Sequence, residues 1–407
     1  MKDSQNTIPF YKPRKINNEQ FYARAENIFD SCQFTNAGPN VLELEKRIAE
    51  FHNVKYCIAV CNATIGLQLV LKGLDLTGEV ITTPFTFIAT AHAIMWQGLT
   101  PVFADIDSET LTISPDQIEK SITPKTSAIM GVHVFGQPCQ VDRISKIGQK
   151  HGLKIVYDAA HSFMTYYRGV PIGSFGDAEV LSFHATKLFH TFEGGAILTN
   201  DSTLANKLRL LKNFGFKGID WVDYLGINGK MNEISAAYGL NLLPYIPETI
   251  KRLKHIQDLY RSSLKEIKGI SFLKLGNDVV GNGQYMVVFI DQKIFGISRD
   301  QLWAYLWKNG VQTRRYFYPG VHMCEPYFSH MPWFRDALPV TKQIAERVLC
   351  LPCYYDLSDG DIERACQLLN QAVTHVDRIR AWYEELLNQN DHEPHLNSVV
   401  ESLTSIR

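Results

Sequence analysis

The chain has 407 residues, with 41 lysines and arginines against 42 aspartates and glutamates, so its formal net charge is −1. This length predicts two domains and a large buried core, and the balanced charge gives no overall attraction for nucleic acid or an anionic membrane. The N-terminus, "MKDSQNTIPFYKP", lacks the pattern of a secretory signal, which predicts a cytoplasmic protein.

From about residue 40 to 200, helical and strand-like patterns alternate. The segment "PNVLELEKRIAEFHNV" has apolar residues at helical spacing, and its Asn40 and Glu43 are spaced like a capping box. Short apolar runs follow, most of them continuously apolar as in strands covered on both faces: "YCIAV" (56–60), "EVITTP" (79–84), "PVFADID" (101–107), "SAIMGVHVFG" (127–136), "KIVYD" (154–158), "EVLSFH" (179–184) and "GAILTN" (195–200). The pattern predicts an α/β fold with a mainly parallel sheet of about seven strands.

The longest uncharged run, Val80 to Ala104, is long enough to raise the question of a membrane span. It contains Pro84, Pro101 and His92, and these favour a strand, a loop and a buried helix instead.

After residue 200 the segments "STLANKLRLLKNFGF" and "NEISAAYGLNLL" predict helices, and "IPETIKRLKHIQDLYRSSLKEI" predicts a long connecting helix. A second unit then contains the strand "QYMVVFI" and the helices "SRDQLWAYLWKNG" and "SDGDIERACQLLNQAVTHVD". We therefore expect a large domain over residues 1–246, a smaller C-terminal α+β domain over 247–380 and a polar tail over 381–407.

Candidate functional residues follow the apolar runs, because ligands in open α/β sheets bind beyond the carboxyl ends of the strands. Asn62, Ala63 and Thr64 lead from the first strand into a helix, whose free amides could seat a phosphate, although residues of these types also serve as ordinary helix caps. Asp158 ends a buried strand, where a carboxylate needs a partner, and His161 follows it. Capping of the next helix is an equal alternative for this aspartate.

Two further strand ends have distinctive chemistry. Lys187 follows "EVLSFH", with hydroxyl groups beside it and glycines after it, which suits covalent or phosphate chemistry; a lysine reaching solvent is the alternative. In "FTFIATAHAI", Phe85 and Phe87 straddle Thr86, so alternation would direct one ring above the strand ends, although packing in the core is the commoner use of such residues.

One cofactor requires all four features together. Pyridoxal 5'-phosphate (PLP) needs a lysine for covalent attachment, a carboxylate for its pyridinium nitrogen, an aromatic face for its ring and a helix end for its phosphate. The sequence therefore predicts a PLP site.

The order of "NATIGLQL", "TTPFTFIATAHAI", "YDAAHSF", "SFHATK", "EGGAILTND" and "GINGKMNEISAAYGL" resembles the DegT/DnrJ/EryC1/StrS family of PLP-dependent nucleotide-sugar aminotransferases, over about residues 8–375. The resemblance implies a PLP-dependent transferase type I fold, like that of aspartate aminotransferase. It also implies a homodimer with shared active sites and transamination fed by L-glutamate.

The resemblance also implies roles for individual residues. Lys187 is the covalent anchor and catalytic residue, and His322 in "RRYFYPGVHMCEPY" approaches the nucleotide-sugar. The cofactor-binding positions are Asp158 at the pyridine nitrogen, His161 near the ring hydroxyl, Phe87 and Ala160 on the two ring faces, Ala63, Thr64 and Ser182 at the phosphate, and Asn228 of the partner subunit, also at the phosphate.

Two departures from the family pattern are visible. Many members have "NGT" where this chain has Asn62-Ala63-Thr64, a change with little effect because a backbone amide makes the contact. Many have "NYR" where this chain has Asn228-Gly229-Lys230, a change that could alter the sugar pocket.

The combination of "GINGKM", "FHATK" and "RRYFYP" resembles the subgroup that aminates C4 of dTDP-4-keto-6-deoxy-D-glucose to give dTDP-4-amino-4,6-dideoxy-D-glucose. Amination at C3, a UDP- or GDP-linked ketosugar, and a PLP-binding regulator without turnover are the alternatives. The first two would change only the substrate, whereas the third would remove the reaction.

A metal-dependent hydrolase is the rival from another enzyme class. It would use the histidines and aspartate near strand ends, namely His133, Asp158, His161, His184 and His190. This set does not explain Lys187 or the aromatic and helix-end features. The lone CxxC pair, Cys350 and Cys353, likewise favours reduced thiols over a metal site.

Overall fold

The computed structural model describes residues 7–389. Its helices are α1 (Glu19–Ser31), α2 (Pro39–His52), α3 (Ala63–Gly73), α4 (Ile88–Trp96), α5 (Pro115–Ser121), α6 (Val141–His151), α7 (Ser202–Leu211), α8 (Glu233–Leu242), α9 (Ile246–Leu264), α10 (Gln292–Phe295), α11 (Arg299–Lys308), α12 (Tyr327–His330), α13 (Pro339–Ala345), α14 (Asp359–Thr374) and α15 (Val376–Gln389).

Its strands are β1 (Tyr56–Val60), β2 (Glu79–Thr82), β3 (Thr100–Phe103), β4 (Thr126–Val132), β5 (Lys154–Asp158), β6 (Tyr166–Tyr167), β7 (Val170–Pro171), β8 (Ala178–Ser182), β9 (Gly195–Thr199), β10 (Phe216–Lys217), β11 (Trp221–Val222), β12 (Ile270–Phe272), β13 (Val279–Val280), β14 (Met286–Ile290) and β15 (Val348–Leu351).

The main sheet has seven strands in the order β1-β9-β8-β5-β4-β2-β3, and each contains residues from one of the seven apolar runs. The pairs β2–β3, β2–β4, β4–β5 and β5–β8 are parallel, whereas β9 is antiparallel to both β1 and β8. The predicted mainly parallel α/β sheet is therefore confirmed. The reversal of β9 pairs Gly195 with Ser182, so the lysine loop 183–194 starts and ends at one edge of the sheet.

Helices cover both faces of this sheet, which explains why its strands are continuously apolar. In β1, Ile58 and Val60 pack in the cluster formed with α3, α4 and α7. The alternate residues, Cys57 and Ala59, belong to the cluster that contains α2 and α8. Helices α5 and α6 pack on the sheet in a further cluster.

The start of α2 differs from the expectation. The predicted capping box of Asn40 with Glu43 is wrong, because the helix begins at Pro39 and no side chain within it caps it. Instead, the Glu233 carboxylate at the start of α8 accepts hydrogen bonds from the backbone amides of Asn40 (2.7 Å) and Val41 (3.1 Å). Glu43 pairs with Arg24 at 2.9 Å.

The C-terminal part of the chain contains α9, the antiparallel sheet β12-β14-β15 and the helices α11, α14 and α15. Strand β13 pairs with β6, so this unit is hydrogen-bonded to the large one. Helix α15 continues to Gln389, and its Tyr383 and Leu386 are buried. Part of the segment expected as a polar tail therefore packs on the core, and residues 390–407 lie outside the described residues. No helix within 7–389 is long and apolar enough to cross a membrane.

Candidate active site

A cavity of about 560 Å³ lies at the carboxyl ends of β4, β5 and β8. The first turn of α3 and the start of α4 contribute to one side of it. Residues from the N-terminal segment and the C-terminal unit close the other side, among them Tyr11, Tyr285 and Tyr316. This volume lies within the usual range of about 300–1,000 Å³ for small-molecule sites.

The cavity brings together most of the residues that the sequence marked as functional. Those that line it are Ala63, Thr64, Phe87, Asp158, Ala160, His161, Ser182 and Lys187. They come from four different strand ends or helix starts, so their meeting depends on the order of the strands in the sheet.

The N-terminus of α3 presents backbone amides to the cavity. The Asn62 side chain caps the helix by accepting from the amide of Ile65 at 2.9 Å, and the first intrahelical bond runs from Gly66 N to Asn62 O. The amides of Ala63 and Thr64 precede that bond and are available to an anion. Gly195 permits this arrangement, because a Cβ there would lie 2.8 Å from Ala63 N.

Asp158 is a buried carboxylate with few partners. It accepts hydrogen bonds from the Thr90 hydroxyl at 2.8 Å and from the Ala160 amide at 3.1 Å, and the Thr90 hydroxyl accepts in turn from Thr86 at 2.8 Å. Burial raises the pKa of Asp158, while Thr90, the Ala160 amide and the charge of Lys187 act in the opposite direction. A cation or an N–H donor in the cavity would therefore be bound strongly by this carboxylate.

The two phenylalanines of "FTF" have separate uses. Phe85 is fully buried in a cluster with Phe135 and Phe317. Phe87 immediately precedes α4, lines the cavity and is 60% exposed. Phe87 is therefore free to contact a flat ligand through its ring face.

Lys187 lies in the loop between β8 and β9, and its Nζ donates a hydrogen bond to the hydroxyl of Tyr285 at 3.4 Å. Burial lowers the pKa of the Lys187 amine to about 8, with the charge of Asp158 opposing the shift. The amine is therefore neutral far more often than an exposed lysine, which makes it a usable nucleophile and base.

His161 is neutral in this environment. Its Nδ1 accepts a hydrogen bond from the amide of Phe135 at 3.2 Å, so the proton of the neutral ring is on Nε2. Burial, reinforced by the charge of Lys187, lowers the pKa of His161 well below its usual value. The ring packs against Tyr285, with a centroid distance of 4.6 Å.

His184 and Glu193 also line the cavity, at opposite ends of the lysine loop, with 3.4 Å between Nε2 and Oε1. The His184 Nδ1 accepts from the amide of Thr186, which leaves the Nε2 proton for Glu193. Apart from the place of His184 in the metal-hydrolase alternative, the sequence assigned no role to either residue.

Asn228 and His322 do not line this cavity. Asn228 is exposed, in a segment that pairs with Asn213. His322 is only 2% exposed, its ring packs edge-on against Phe103, and burial lowers its pKa to about 4. The predicted contact of His322 with a nucleotide-sugar therefore stays a prediction.

The residues of the metal-hydrolase alternative do not come together as a set of metal ligands. His133 donates or accepts at both nitrogens within the core, with Glu179 at 3.2 Å and the Cys139 amide at 3.0 Å. His190 is buried next to Tyr238. Across residues 7–389, no group of three or more histidine, cysteine, aspartate or glutamate residues could hold a metal ion.

Several lining residues received no individual role from the sequence. Gln284 and Tyr285 precede β14, and Tyr316 and Phe317 follow in the same unit. The run "QYMVVFI" predicted the strand but not that its first two residues reach a lysine almost a hundred positions earlier. Only the packing of the C-terminal unit on the sheet brings them there.

A lysine of lowered pKa, a buried carboxylate and a helix N-terminus meet at one cavity of an α/β fold, an arrangement typical of an enzyme active site. The model of the DegT/DnrJ/EryC1/StrS aminotransferase family matches residues 15–370, and this chain belongs to that family. It is accordingly an aminotransferase with the aspartate aminotransferase type of fold.

Comparisons with individual proteins agree. A dTDP-4-amino-4,6-dideoxy-D-glucose transaminase of Escherichia coli is 40% identical over 90% of this chain and 99% of its own. A crystal structure of DesI in the presence of its TDP-sugar product has a TM-score of 0.89 and 42% identity, over 93% of this chain and 96% of that one. A sugar aminotransferase of Streptococcus pneumoniae in its PLP form has a TM-score of 0.83 and 25% identity, over 91% and 99% of the two chains.

Proposed function

We propose that this chain binds PLP and transfers the amino group of L-glutamate to C4 of dTDP-4-keto-6-deoxy-D-glucose. The product would be dTDP-4-amino-4,6-dideoxy-D-glucose. The observation that carries the proposal is Asp158, a carboxylate that is only 6% exposed, lines the cavity and has two hydrogen-bond donors among the described residues. Such a group fits a protonated pyridine nitrogen.

The remaining residues fit the same cofactor. Lys187 would anchor it, the amides of Ala63 and Thr64 with the Ser182 hydroxyl would hold its phosphate, and Phe87 would cover one face of its ring. His161, which carries its proton on Nε2, would donate to the ring hydroxyl. No second lysine competes for the covalent role, since Lys187 is the one lysine among the described residues that line the cavity.

The interaction energy between the Asp158 carboxylate and a pyridinium nitrogen follows from Coulomb's law. A carboxylate and a pyridinium nitrogen about 4 Å apart at an effective dielectric constant near 20 interact by roughly 4 kcal/mol. That is equivalent to about three pKa units, enough to keep the nitrogen protonated at neutral pH. When bound in this way, PLP supplies the electron sink that withdraws charge from the reacting carbon.

Lys187 supplies the proton transfer. Its Nζ, with a pKa of about 8, would take the proton from the α-carbon of glutamate and later return a proton to C4 of the sugar. A base with a pKa near the working pH combines a useful neutral fraction with adequate basicity. One side chain would therefore serve as anchor, base and acid.

The sugar assignment is supported by the similarity to the E. coli dTDP-4-amino-4,6-dideoxy-D-glucose transaminase and to DesI, whose structure was determined in the presence of its TDP-sugar product. Amination at C3 and a UDP- or GDP-linked ketosugar are alternatives within the same chemistry. A PLP-binding regulator without turnover is the alternative outside it.

We also propose a homodimer that completes the site. The segment 214–227, which contains the hairpin β10–β11, exposes many apolar side chains of the kind that a partner covers: Phe214, Phe216, Ile219, Trp221, Val222 and Leu225. Asn228 follows directly and is exposed, as a residue acting on the partner's cofactor phosphate would be. The described lining residues contain no arginine, so further cations for a diphosphate would come from the partner.

The test is a panel assay of the purified chain with L-glutamate and dTDP-, UDP- and GDP-linked 4-keto- and 3-ketosugars. Transfer of the amino group to C4 of the dTDP sugar is expected. Lys187→Ala should abolish turnover, whereas Lys120→Ala, at an exposed lysine of α5, should not. Turnover by Lys187→Ala at the wild-type rate would contradict the mechanism, and glutamate-dependent turnover would exclude a regulator that only binds PLP.

A further inference from the structure

The C-terminal unit holds the backbone on both sides of Lys187. The Gln284 side chain accepts a hydrogen bond from the amide of Leu188 and donates one to the carbonyl of Thr186, both at 3.3 Å. From the N-terminal segment, the Tyr11 hydroxyl donates to the carbonyl of Lys187 itself at 2.8 Å. The main chain of the lysine is therefore fixed by two residues distant from it in sequence.

Tyr285, the neighbour of Gln284, contacts the reactive atom. Its hydroxyl accepts a hydrogen bond from Lys187 Nζ at 3.4 Å. When the amine is neutral, the same hydroxyl can donate to the lone pair of the nitrogen, because a phenol is both donor and acceptor. The contact can therefore persist in both protonation states of the lysine.

Several contacts hold the Tyr285 side chain in place. The Tyr285 ring packs on His161, with centroids 4.6 Å apart, and edge-on against Phe135 at 5.5 Å. Its backbone carbonyl accepts a hydrogen bond from Gln257 of α9 at 2.8 Å. A tyrosine held by ring contacts and by its backbone provides a fixed point for a flexible lysine side chain.

The groups that face the Lys187 amine are mostly uncharged. Burial raises the pKa of the Tyr285 phenol well above its usual value, so it stays protonated, and His161 is neutral. Within the part of the chain that the structure describes, Asp158 is the one carboxylate whose charge acts on the lysine. A neutral partner can direct the amine without holding it in the ammonium form.

We propose that Tyr285 is a positioning residue for Lys187, and that its hydroxyl holds the amine nitrogen in the direction required for proton transfer. Gln284 fixes the backbone of the lysine for the same purpose, so the C-terminal unit determines where the amine points. The inference rests on the proposed function, since it assumes that Lys187 acts as a base after it is released.

The test compares Tyr285→Phe with Tyr260→Phe. Both changes remove one phenol hydroxyl and keep the ring, but Tyr260 lies in the core away from the cavity, and its hydroxyl has no hydrogen-bond partner among residues 7–389. The first measurement is the pH dependence of amine acylation at Lys187 in the cofactor-free, full-length chain, read by peptide mass spectrometry. The second is kcat and KM of the loaded enzyme.

The wild-type midpoint for acylation is expected near pH 8. Tyr285→Phe should lower it by about one pH unit, because the hydrogen bond that the ammonium form loses is charge-assisted and therefore stronger than the one that the neutral amine loses. It should also lower kcat by about 10- to 100-fold with little change in KM, as expected for a misdirected group. Tyr260→Phe should change neither quantity.

An unchanged acylation midpoint in Tyr285→Phe would overturn the proposal, whatever happens to kcat, because a purely structural or substrate-contact role would leave the amine unaffected. If the wild-type chain fails to transaminate any ketosugar, the proposed function fails. The acylation midpoint of the cofactor-free chain then still decides whether Tyr285 holds Lys187.

Discussion

Thr90→Val is expected to weaken PLP binding without a direct contact to the cofactor. The valine keeps the shape of threonine but removes the hydroxyl that donates to the Asp158 carboxylate at 2.8 Å. This carboxylate is only 6% exposed, and among the described residues its one other hydrogen-bond donor is the Ala160 amide. A hydrogen bond to a charged group contributes about 1.5–3 kcal/mol. Its loss would raise the pKa of Asp158 further, because the Thr90 hydroxyl acts against the effect of burial.

A more readily protonated Asp158 binds a pyridinium nitrogen less well. We therefore expect the dissociation constant of PLP to rise by about 10- to 100-fold. The assay is an absorbance titration in a Lys187→Ala background, where only non-covalent binding contributes.

Thr90→Ser should restore binding because it keeps the hydroxyl. Thr86→Val should have a smaller effect because it leaves the bond from Thr90 to Asp158 intact. Wild-type PLP affinity in Thr90→Val, in a protein that melts at the usual temperature, would refute the argument that this hydroxyl maintains the charge of Asp158.

Three further predictions follow from the structure. Phe87→Ala should weaken PLP binding several-fold, since ring stacking contributes about 0.5–1.5 kcal/mol. It should leave the melting temperature nearly unchanged because the side chain is 60% exposed. A PLP affinity equal to that of the wild type would exclude a stacking role. The folded pKa of Lys187, about 8, is below that of an unfolded lysine, so between about pH 8 and 10.5 the unfolded chain binds more protons and stability rises with pH. Lys187→Met, which removes this proton, should therefore make the cofactor-free chain more stable at pH 7 in urea titrations, and the difference from wild type should shrink as pH rises through that window. Leu386→Ala should lower the free energy of unfolding by about 2–3 kcal/mol, because Leu386 is only 8% exposed. The matched control is Leu387→Ala, at an exposed neighbour on the same helix. Equal stability of the two variants would contradict the packing of α15 on the core.

The proximity of residues at neighbouring strand ends was predictable from the direction of the strands in the sheet. When neighbouring strands are parallel, their carboxyl ends meet at one edge of the sheet, so Asp158 at the end of β5 and Ser182 at the end of β8 had to lie near each other. The alternation of Phe85 and Phe87 narrowed the choice to one ring, and the burial of Phe85 in the core decides it. These inferences need only local sequence patterns and the strand direction.

Contacts between distant segments were not predictable in this way. Glu233 caps α2 from almost two hundred residues away, and the local partner suggested by spacing, Glu43, is engaged by Arg24 instead. Gln284 and Tyr285 likewise reach the lysine loop because β13 pairs with β6 and holds the C-terminal unit against the large one. Periodicity reports which face of an element is buried, but not which distant residue covers it.

The uncharged surroundings of Lys187 have a chemical consequence. Burial moves both central groups toward neutrality, since it raises the pKa of Asp158 and lowers that of Lys187, and each charge partly stabilises the other. If a carboxylate occupied the position of Tyr285, at 3.4 Å from Nζ, it would favour the ammonium form and remove the neutral amine near pH 7. A phenol at that position leaves the pKa near 8, where the lysine can both accept and return a proton. The choice of a neutral partner therefore preserves the acid–base range that transamination requires.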